Sequence, residues 1–384
     1  MNPDDFNESQ RQFLEKTIDS AWAFVPPPLP PNFYHDEIAL PLASAAAAIG
    51  ELKGAARRLQ NPGMLIEPLQ RREALTSSAM EGTITTLGDM VIEEATNSSQ
   101  INDDAKETTN YVRAVTAACQ MLSSLPLSHR VIKEAHVQLL SGLSPGRGAG
   151  KRPGQYKIHQ NAVGKRGENI HTARYVPPPP PQTQTCMDAL EAYINREGQT
   201  GPGRLVDLAL VHYQFEAIHP FDDGNGRIGR MLITLMALQS GLLDHPLLHM
   251  SAQLERDKDE YVDQLFTVST HGLWERWIIY FLEAVEASCR DAIKLVDRIL
   301  ELQTDFRNRA SRASRNPRLL MIVDALFTKT WTTAPEVQKL CSVSFPTAQS
   351  DLIVMVDAGL LREIPGRRPK LYYSPELLML SDRA

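Results

Sequence analysis

The chain has 384 residues, of which 42% are hydrophobic and 22% charged, and carries a formal net charge of −6. This length predicts two or three domains, and the composition is that of an ordinary soluble globular chain rather than a disordered or fibrous one. The acidic balance argues against a protein coated in nucleic acid, while leaving room for a local basic face.

Cys119, Cys186, Cys289 and Cys341 stand far apart and form no C-x-x-C pair. A zinc knuckle or thioredoxin-type site has nothing to build on, and free thiols in a reducing cytosol are expected. Residues 1–12 are polar and acidic, without the apolar core of a signal peptide. No run approaches the ~18 apolar residues of a membrane span. The expectation is a cytoplasmic protein with no membrane partner.

In chain order, the proline run at 26–31 excludes helix and predicts a stiff strap over the protein's own surface. Residues 37–60 are rich in Ala and Leu and read as helix, stopped by Asn61-Pro62-Gly63. Residues 69–91 predict another helix, on which Ser77 and Glu81 share one face. Composition alone makes that pair a solvated face with an intrahelical polar contact. Helices follow at 103–122 and about 130–140, the second capped by Ser128, with His136 inside it as a packed or solvent-facing histidine. Glycines scattered over 141–181 then break helices. Residues 155–158 read as a short strand and 161–176 as a hairpin flap, which the prolines at 177–181 end. Helices resume at 186–197, 204–218, 235–239, 256–269 and 274–302.

The densest chemistry lies in His219-Pro220-Phe221-Asp222-Asp223-Gly224-Asn225-Gly226-Arg227-Ile228-Gly229-Arg230. Apolar residues then recur at helical spacing, so a glycine-rich loop opens onto a helix. Such a start points backbone N–H groups and the positive end of the helix dipole at one spot, which favours phosphate. Arg227 and Arg230, three apart, can reach the same side of the first turn. Asp223 is a hard oxygen ligand suited to Mg²⁺, and His219 is a base with a pKa near neutrality. The segment predicts nucleotide-dependent transfer to a hydroxyl.

Residues 305–384 hold 12 Lys and Arg against 8 Asp and Glu, a locally basic stretch. Helices at about 318–328, 334–340 and 345–358, then two strands around a basic turn with Arg367, Arg368 and Lys370, follow a winged helix-turn-helix layout. Duplex DNA is one expected partner for this part, and a protein or a second copy the other.

The 219–230 stretch resembles the signature of the Fic family, His-Pro-Phe-x-Asp/Asn-Gly-Asn-Gly-Arg-x-x-Arg, at all nine specified positions. Ser77-Ser78-Ala79-Met80-Glu81-Gly82 is similar to the family's inhibitory motif, Ser/Thr-x-x-x-Glu-Gly/Asn. The flap ending in Ala173-Arg174-Tyr175-Val176 and the helix around Tyr261 are similar too. The resemblance implies a mainly α chain: an N-terminal helical region with the inhibitory helix over 1–125, a Fic catalytic core over 126–303, and a winged-helix domain over 305–384. It implies transfer of AMP from ATP to a Ser, Thr or Tyr hydroxyl of a target protein, with Mg²⁺, and a homodimeric state. His219 would be the catalytic base and Asp223 the metal ligand. Gly224, Asn225, Gly226, Arg227 and Arg230 would hold phosphates, and Tyr261 would lie beside adenine. Asn161, Ile170 and His171 would lie on the flap that binds the target. Glu81, steadied by Ser77, would pair with Arg230 and inhibit transfer. Alternatives are removal of AMP at the same site, or a DNA-binding regulator that uses the Fic core as a sensor.

Overall fold

A computed structural model describes residues 1–96, 103–164, 167–198, 201–366 and 368–382. The chain opens with a 3-10 turn at Pro3–Asp5, α1 (Glu8–Arg11) and an antiparallel hairpin of β1 (Leu14–Lys16) and β2 (Trp22–Phe24). Neither strand was expected from the sequence. Phe6 and Phe24 are buried, and the Phe24 N–H donates to the Val176 carbonyl at 2.9 Å. The proline strap follows, and Gln214 Nε2 donates to the Pro27 carbonyl at 2.9 Å.

Next comes α2 (His35–Ala56), with α3 (Gly63–Met80) and α4 (Leu87–Thr96) where a single helix over 69–91 was expected. The break has a local cause. Glu81 ends α3, and Gly82 takes φ +87°, open to glycine and strained for other residues. Thr83 N–H then bonds Ser78 O at 3.0 Å and Gly82 N–H bonds Ala79 O at 2.9 Å, a Schellman stop. α2 contains an 18-residue window of mean hydropathy 1.2, so by length and composition it could cross a membrane, contrary to the sequence expectation. In the fold it lies along a later helix and buries Ile38, Ala45, Ile49 and Leu52.

α5 (Asp103–Leu122) and α6 (His129–Leu139) fall close to expectation. No strand forms at 155–158; the Lys157 N–H donates to the Pro220 carbonyl at 2.8 Å instead. The hairpin over 161–176 reduces to one antiparallel bridge, Val163 to Tyr175, and its Lys165 and Arg166 lie outside the described residues. α7 (Pro180–Ile194) starts six residues earlier than predicted, because proline is tolerated in a first helical turn.

α8 (Gly203–Ile218) and α9 (Asn225–Gln239) form the centre. α8 buries 13 of its 16 residues, so it is covered on nearly all sides. The predicted helix over 256–269 corresponds to α11 (Lys258–His271), which a separate α10 (Ser251–Arg256) precedes, with Asp257 capping α11 by accepting from Glu260 N–H at 2.9 Å. α12 (Trp274–Ala313) runs 40 residues, well past the expected 302. Its apolar stripe continues through Ile299, Phe306 and Ala310, and that burial carries the helix on.

The remainder is α13 (Arg318–Leu326), β3 (Trp331–Thr333), α14 (Ala334–Cys341), α15 (Phe345–Asp357), β4 (Arg362–Ile364), β5 (Leu371–Tyr373) and α16 (Pro375–Asp382). The three strands form an antiparallel sheet in the order β3-β5-β4, one strand more than expected. Arg367 of the expected wing lies outside the described residues. This part sits against α3 and α4: Val91 packs with Trp331, Leu371 and Leu378, and Trp331 Nε1 donates to Glu94 at 3.3 Å. Arg71, only 3% exposed, bridges Glu67 at 2.9 Å and Glu94 at 2.6 Å.

Candidate functional site

The site forms where α8 gives way to α9. His219 ends α8 in a left-handed backbone, φ +47° and ψ 61°, and its N–H still bonds Phe215 O at 2.9 Å. Left-handed backbone is costly for a residue with a Cβ, so the surroundings must hold it. Gly224, at φ +76°, takes the second left-handed position and caps α9. The first intrahelical bond of α9 runs from Ile228 N–H to Gly224 O. The N–H groups of Asn225, Gly226 and Arg227 therefore precede the ladder and face the loop mouth.

Those residues differ in what they offer. Asn225 was expected to give its side chain to phosphate. Instead its Oδ1 accepts from Phe221 N–H and its Nδ2 donates to Phe221 O, each at 2.8 Å. The amide closes the loop, leaving the backbone N–H groups as the donors at the loop mouth. Arg227 and Arg230 do not converge. Arg227, 2% exposed, turns to Glu107 on α5, with Asp223 Oδ1 at 3.5 Å. Arg230 turns to α3: its Nε donates to Ser77 Oγ at 2.9 Å, and its Nη2 to Ser77 O at 2.9 Å and Glu81 Oε1 at 2.7 Å.

Glu81 thus lies on the start of α9. A Cβ on Gly226 would come within 2.3 Å of Glu81 Oε1, so only glycine admits the carboxylate at this distance. The carboxylate occupies the position that helix N–H groups and an arginine make attractive to an anion. Burial resists its ionisation, but the Arg230 charge and hydrogen bond outweigh that and hold its pKa below the usual value. Lys258, at the start of α11, adds positive charge nearby and donates to the Met80 carbonyl.

Burial lowers the His219 pKa to about 4, with the Lys157 charge acting in the same direction and Glu81 against it. His219 is therefore neutral at pH 7, the form a base needs. Its Nδ1 is buried without a hydrogen-bond partner. Glu216, one turn earlier, is pushed up to about 7 by burial and by Glu81, against Arg230. Its Oε1 would lie 2.2 Å from a Cβ on Gly229, which explains the last glycine of the stretch.

Asp223 accepts from Gly224 N–H at 2.6 Å through Oδ1, and its side chain is 38% exposed. No cluster of three or more His, Cys, Asp or Glu able to hold a metal occurs among the described residues. One half-open carboxylate suits Mg²⁺ only if phosphates and waters complete the shell, as Mg²⁺ ordinarily requires. His136, below this loop, accepts from Gly154 N–H through Nδ1 at 2.8 Å. Its Nε2 must then carry the proton and donate to Asp223 O at 3.0 Å, while the ring stacks on Phe221 at 3.8 Å. This histidine is packing and scaffold.

Tyr261, expected beside adenine, is 4% exposed, and its hydroxyl meets His212 Nε2 at 2.9 Å. His212 Nδ1 in turn bonds Gly229 O at 3.1 Å, so the tyrosine supports α9 from inside the core. Asn161, expected to face a target chain, turns inward and donates from Nδ2 to His219 O at 3.0 Å and Phe221 O at 3.1 Å. Ile170 and His171 lie in a surface turn, with His171 N–H donating to Asn169 Oδ1 at 2.9 Å. Sequence reasoning passed over Glu107, Lys157, His212 and Lys258. Of these, only Lys258 carried a signal, its place just after a capping aspartate.

Fold and site together define a helical protein built around the glycine-rich start of α9, with one of its own carboxylates held there. Residues 40–120 match the family model described as Fic/DOC family N-terminal, and residues 126–237 the one described as Fic/DOC family. The chain belongs to the Fic/DOC family. Among curated relatives, it is 29% identical to the protein adenylyltransferase Fic of Drosophila virilis over 121 residues, 32% of this chain and 22% of that protein. The Drosophila melanogaster counterpart is 26% identical over the same length. The chain thus spans about a fifth of the curated relatives it matches. A solved Fic family protein from Desulfovibrio desulfuricans G20 shares the fold at TM-score 0.57 and 19% identity, covering 90% of this chain and 98% of that one. A Fic domain containing signaling protein from Bacteroides thetaiotaomicron does so at TM-score 0.51 and 20% identity, over 66% and 97%.

Proposed function

We propose that this protein transfers AMP from ATP to a hydroxyl of a polypeptide, and that Glu81 holds the site closed. The observation that carries this is the Glu81 carboxylate bonded to Arg230 at 2.7 Å against Gly226. Two anions cannot share that position, since the second would meet the first across a short distance. ATP with its terminal phosphate on Arg230 therefore requires Glu81 to leave. The backbone N–H groups at the start of α9 take the phosphates, and Gly226 lets them approach closely. Asp223 would hold Mg²⁺, which would supply charge to offset that on the leaving pyrophosphate. Neutral His219 accepts the hydroxyl proton as oxygen attacks the α-phosphorus and the bond to pyrophosphate breaks.

Arg227 has a different part in this reading. Its pairing with Glu107 fixes α5 to α9, and it reaches terminal phosphates only if that pair opens. Tyr261 acts through His212 on the α9 backbone. The flap meets the target by backbone pairing near the Val163–Tyr175 bridge, with Ile170 and His171 on its outer turn. DNA binding by residues 305–384 has less support. α15, the third helix of the expected winged helix-turn-helix layout, contains no Lys or Arg. Arg307, Arg309, Arg318, Lys329 and Lys370 are all ion-paired within that part of the chain. Phosphate contacts need free cations.

The test is incubation with ATP labelled at the α-phosphate, using Glu81→Gly protein and the Glu81→Gly, His219→Ala double variant. The first should acquire label or pass it to a target, and the second should bind nucleotide without transferring AMP. Transfer that persists without His219 removes it as the base. Label from γ-phosphate alone would make this a kinase.

A further inference from the structure

We propose that Lys157 is a positioning residue for His219: with Asn161 it takes up every backbone carbonyl from Ile218 to Phe221 and so holds the base in its left-handed conformation. This rests on the reading of His219 as the base.

The four carbonyls can be followed in turn. Lys157 Nζ donates to Ile218 O at 3.2 Å. Asn161 Nδ2 donates to His219 O at 3.0 Å. The Lys157 backbone N–H donates to Pro220 O at 2.8 Å. Asn161 Nδ2 also reaches Phe221 O at 3.1 Å, which Asn225 shares. Lys157 Nζ donates to Asn161 Oδ1 at 2.8 Å, so the two side chains act as one clamp. Buried carbonyls require partners, and here one five-residue segment supplies them all. The residue so clamped is the one with φ +47°. A strained backbone persists only where its neighbours over-determine it.

Packing alone does not explain a lysine at this position. Lys157 is 3% exposed, rare for a lysine, and makes no ion pair with a carboxylate among the described residues. Burial pushes its pKa down to about 7, with Cys186 on α7 and Asp222 on the loop acting against this. A leucine or methionine would fill the space without that penalty. What lysine adds is a strong donor and a positive charge beside His219, and that charge disfavours the imidazolium form. Glu81 from α3 acts oppositely, and so does the Glu216 backbone carbonyl of α8.

The experiment uses the full chain in the Glu81→Gly background. Lys157→Met removes both donor and charge, Lys157→Gln keeps a donor, and Lys157→Arg keeps both. Moving a base by on the order of 1 Å lowers rate roughly a hundredfold. Lys157→Met should therefore lose about two orders of magnitude in kcat for AMP transfer, with the KM for ATP within about twofold. Lys157→Arg should recover most of the loss. A readout independent of turnover is the His219 imidazole signal by NMR, assigned by its absence in His219→Ala. Its pKa should rise in Lys157→Met and Lys157→Gln and stay in place in Lys157→Arg. A kcat in Lys157→Met within twofold of the parent overturns the proposal, as does an unmoved His219 pKa. If the Glu81→Gly parent itself transfers no AMP, the proposed function fails and the NMR titration alone decides. If Lys157→Met does not fold, Lys157→Gln decides by both readouts.

Discussion

Replacing Glu81 should release the site, and two different replacements separate charge from occupancy. Glu81→Gln keeps the volume over Gly226 but removes the ion pair with Arg230. A charge-assisted hydrogen bond contributes about 1.5–3 kcal/mol. The Glu81 side chain is 38% exposed, so solvent screening argues for the lower end. At about 1.5 kcal/mol the closed state loses roughly a tenfold advantage, and initial labelling by ATP should rise by about that factor. Glu81→Gly also clears the carboxylate from its position 2.3 Å from the Gly226 Cβ direction, so phosphate meets no occupant. It should exceed Glu81→Gln by a further several-fold. The assay is the initial rate of α-phosphate labelling at saturating ATP and Mg²⁺, with equal folded fractions checked by thermal melting. Equal rates for wild type, Glu81→Gln and Glu81→Gly would refute the argument. Release by Glu81→Gly alone would mean that occupancy, rather than charge, closes the site.

Ser77→Ala removes the Oγ partner of Arg230 Nε but leaves the Ser77 carbonyl in place. It should raise labelling about fivefold, as loss of a ~1 kcal/mol hydrogen bond implies, and a rate equal to wild type would remove Ser77 from the inhibitory contact. Arg71→Met leaves Glu67 and Glu94 without their shared cation in a largely buried setting. It should cost about 3–5 kcal/mol, measured as a lower urea midpoint, and an unchanged midpoint would show that the bridge is compensated. His212 titrates near 3 in the fold because burial disfavours its charged form, with Arg230 acting in the same direction. The unfolded chain binds its proton at ~6.5, so stability is full above that pH and falls as pH drops below it. Between pH 8 and pH 5 this one residue should account for about 2 kcal/mol of lost stability. His212→Asn should lose less by that amount across the same range, and an identical loss would refute the assignment.

How much of this could be read from the sequence depends on where the deciding partner lies. The helices around Tyr111, His136 and Leu208 follow from apolar spacing, because burial of one face is written locally. The stop at Gly82 was equally local, since Glu81-Gly82 offers the left-handed residue that a helix end uses, yet apolar spacing alone ran the helix through it. Strands were harder. β1 and β2 are three residues each, too short for alternation to declare itself.

The 219–230 stretch shows the limit most clearly. Its spacing says that Arg227 and Arg230 leave the same helix one turn apart, and that is correct. From there, two residues on the same turn were expected to share one ligand. Arg227 instead finds Glu107, 120 positions earlier, and Arg230 finds Glu81, 149 positions earlier. Nothing within the twelve residues distinguishes the two arginines. The difference comes from α5 and α3 each packing against α9 and each bringing its own carboxylate. Asn225 makes the same point at shorter range. Its amide fits a phosphate and fits Phe221 equally well, and the left-handed turns at His219 and Gly224 decide by bringing the Phe221 peptide within 2.8 Å. A motif of this kind fixes which atoms are available. Which of them stay free for a ligand is fixed by segments elsewhere in the chain, and Arg230 is held by one of those until Glu81 moves.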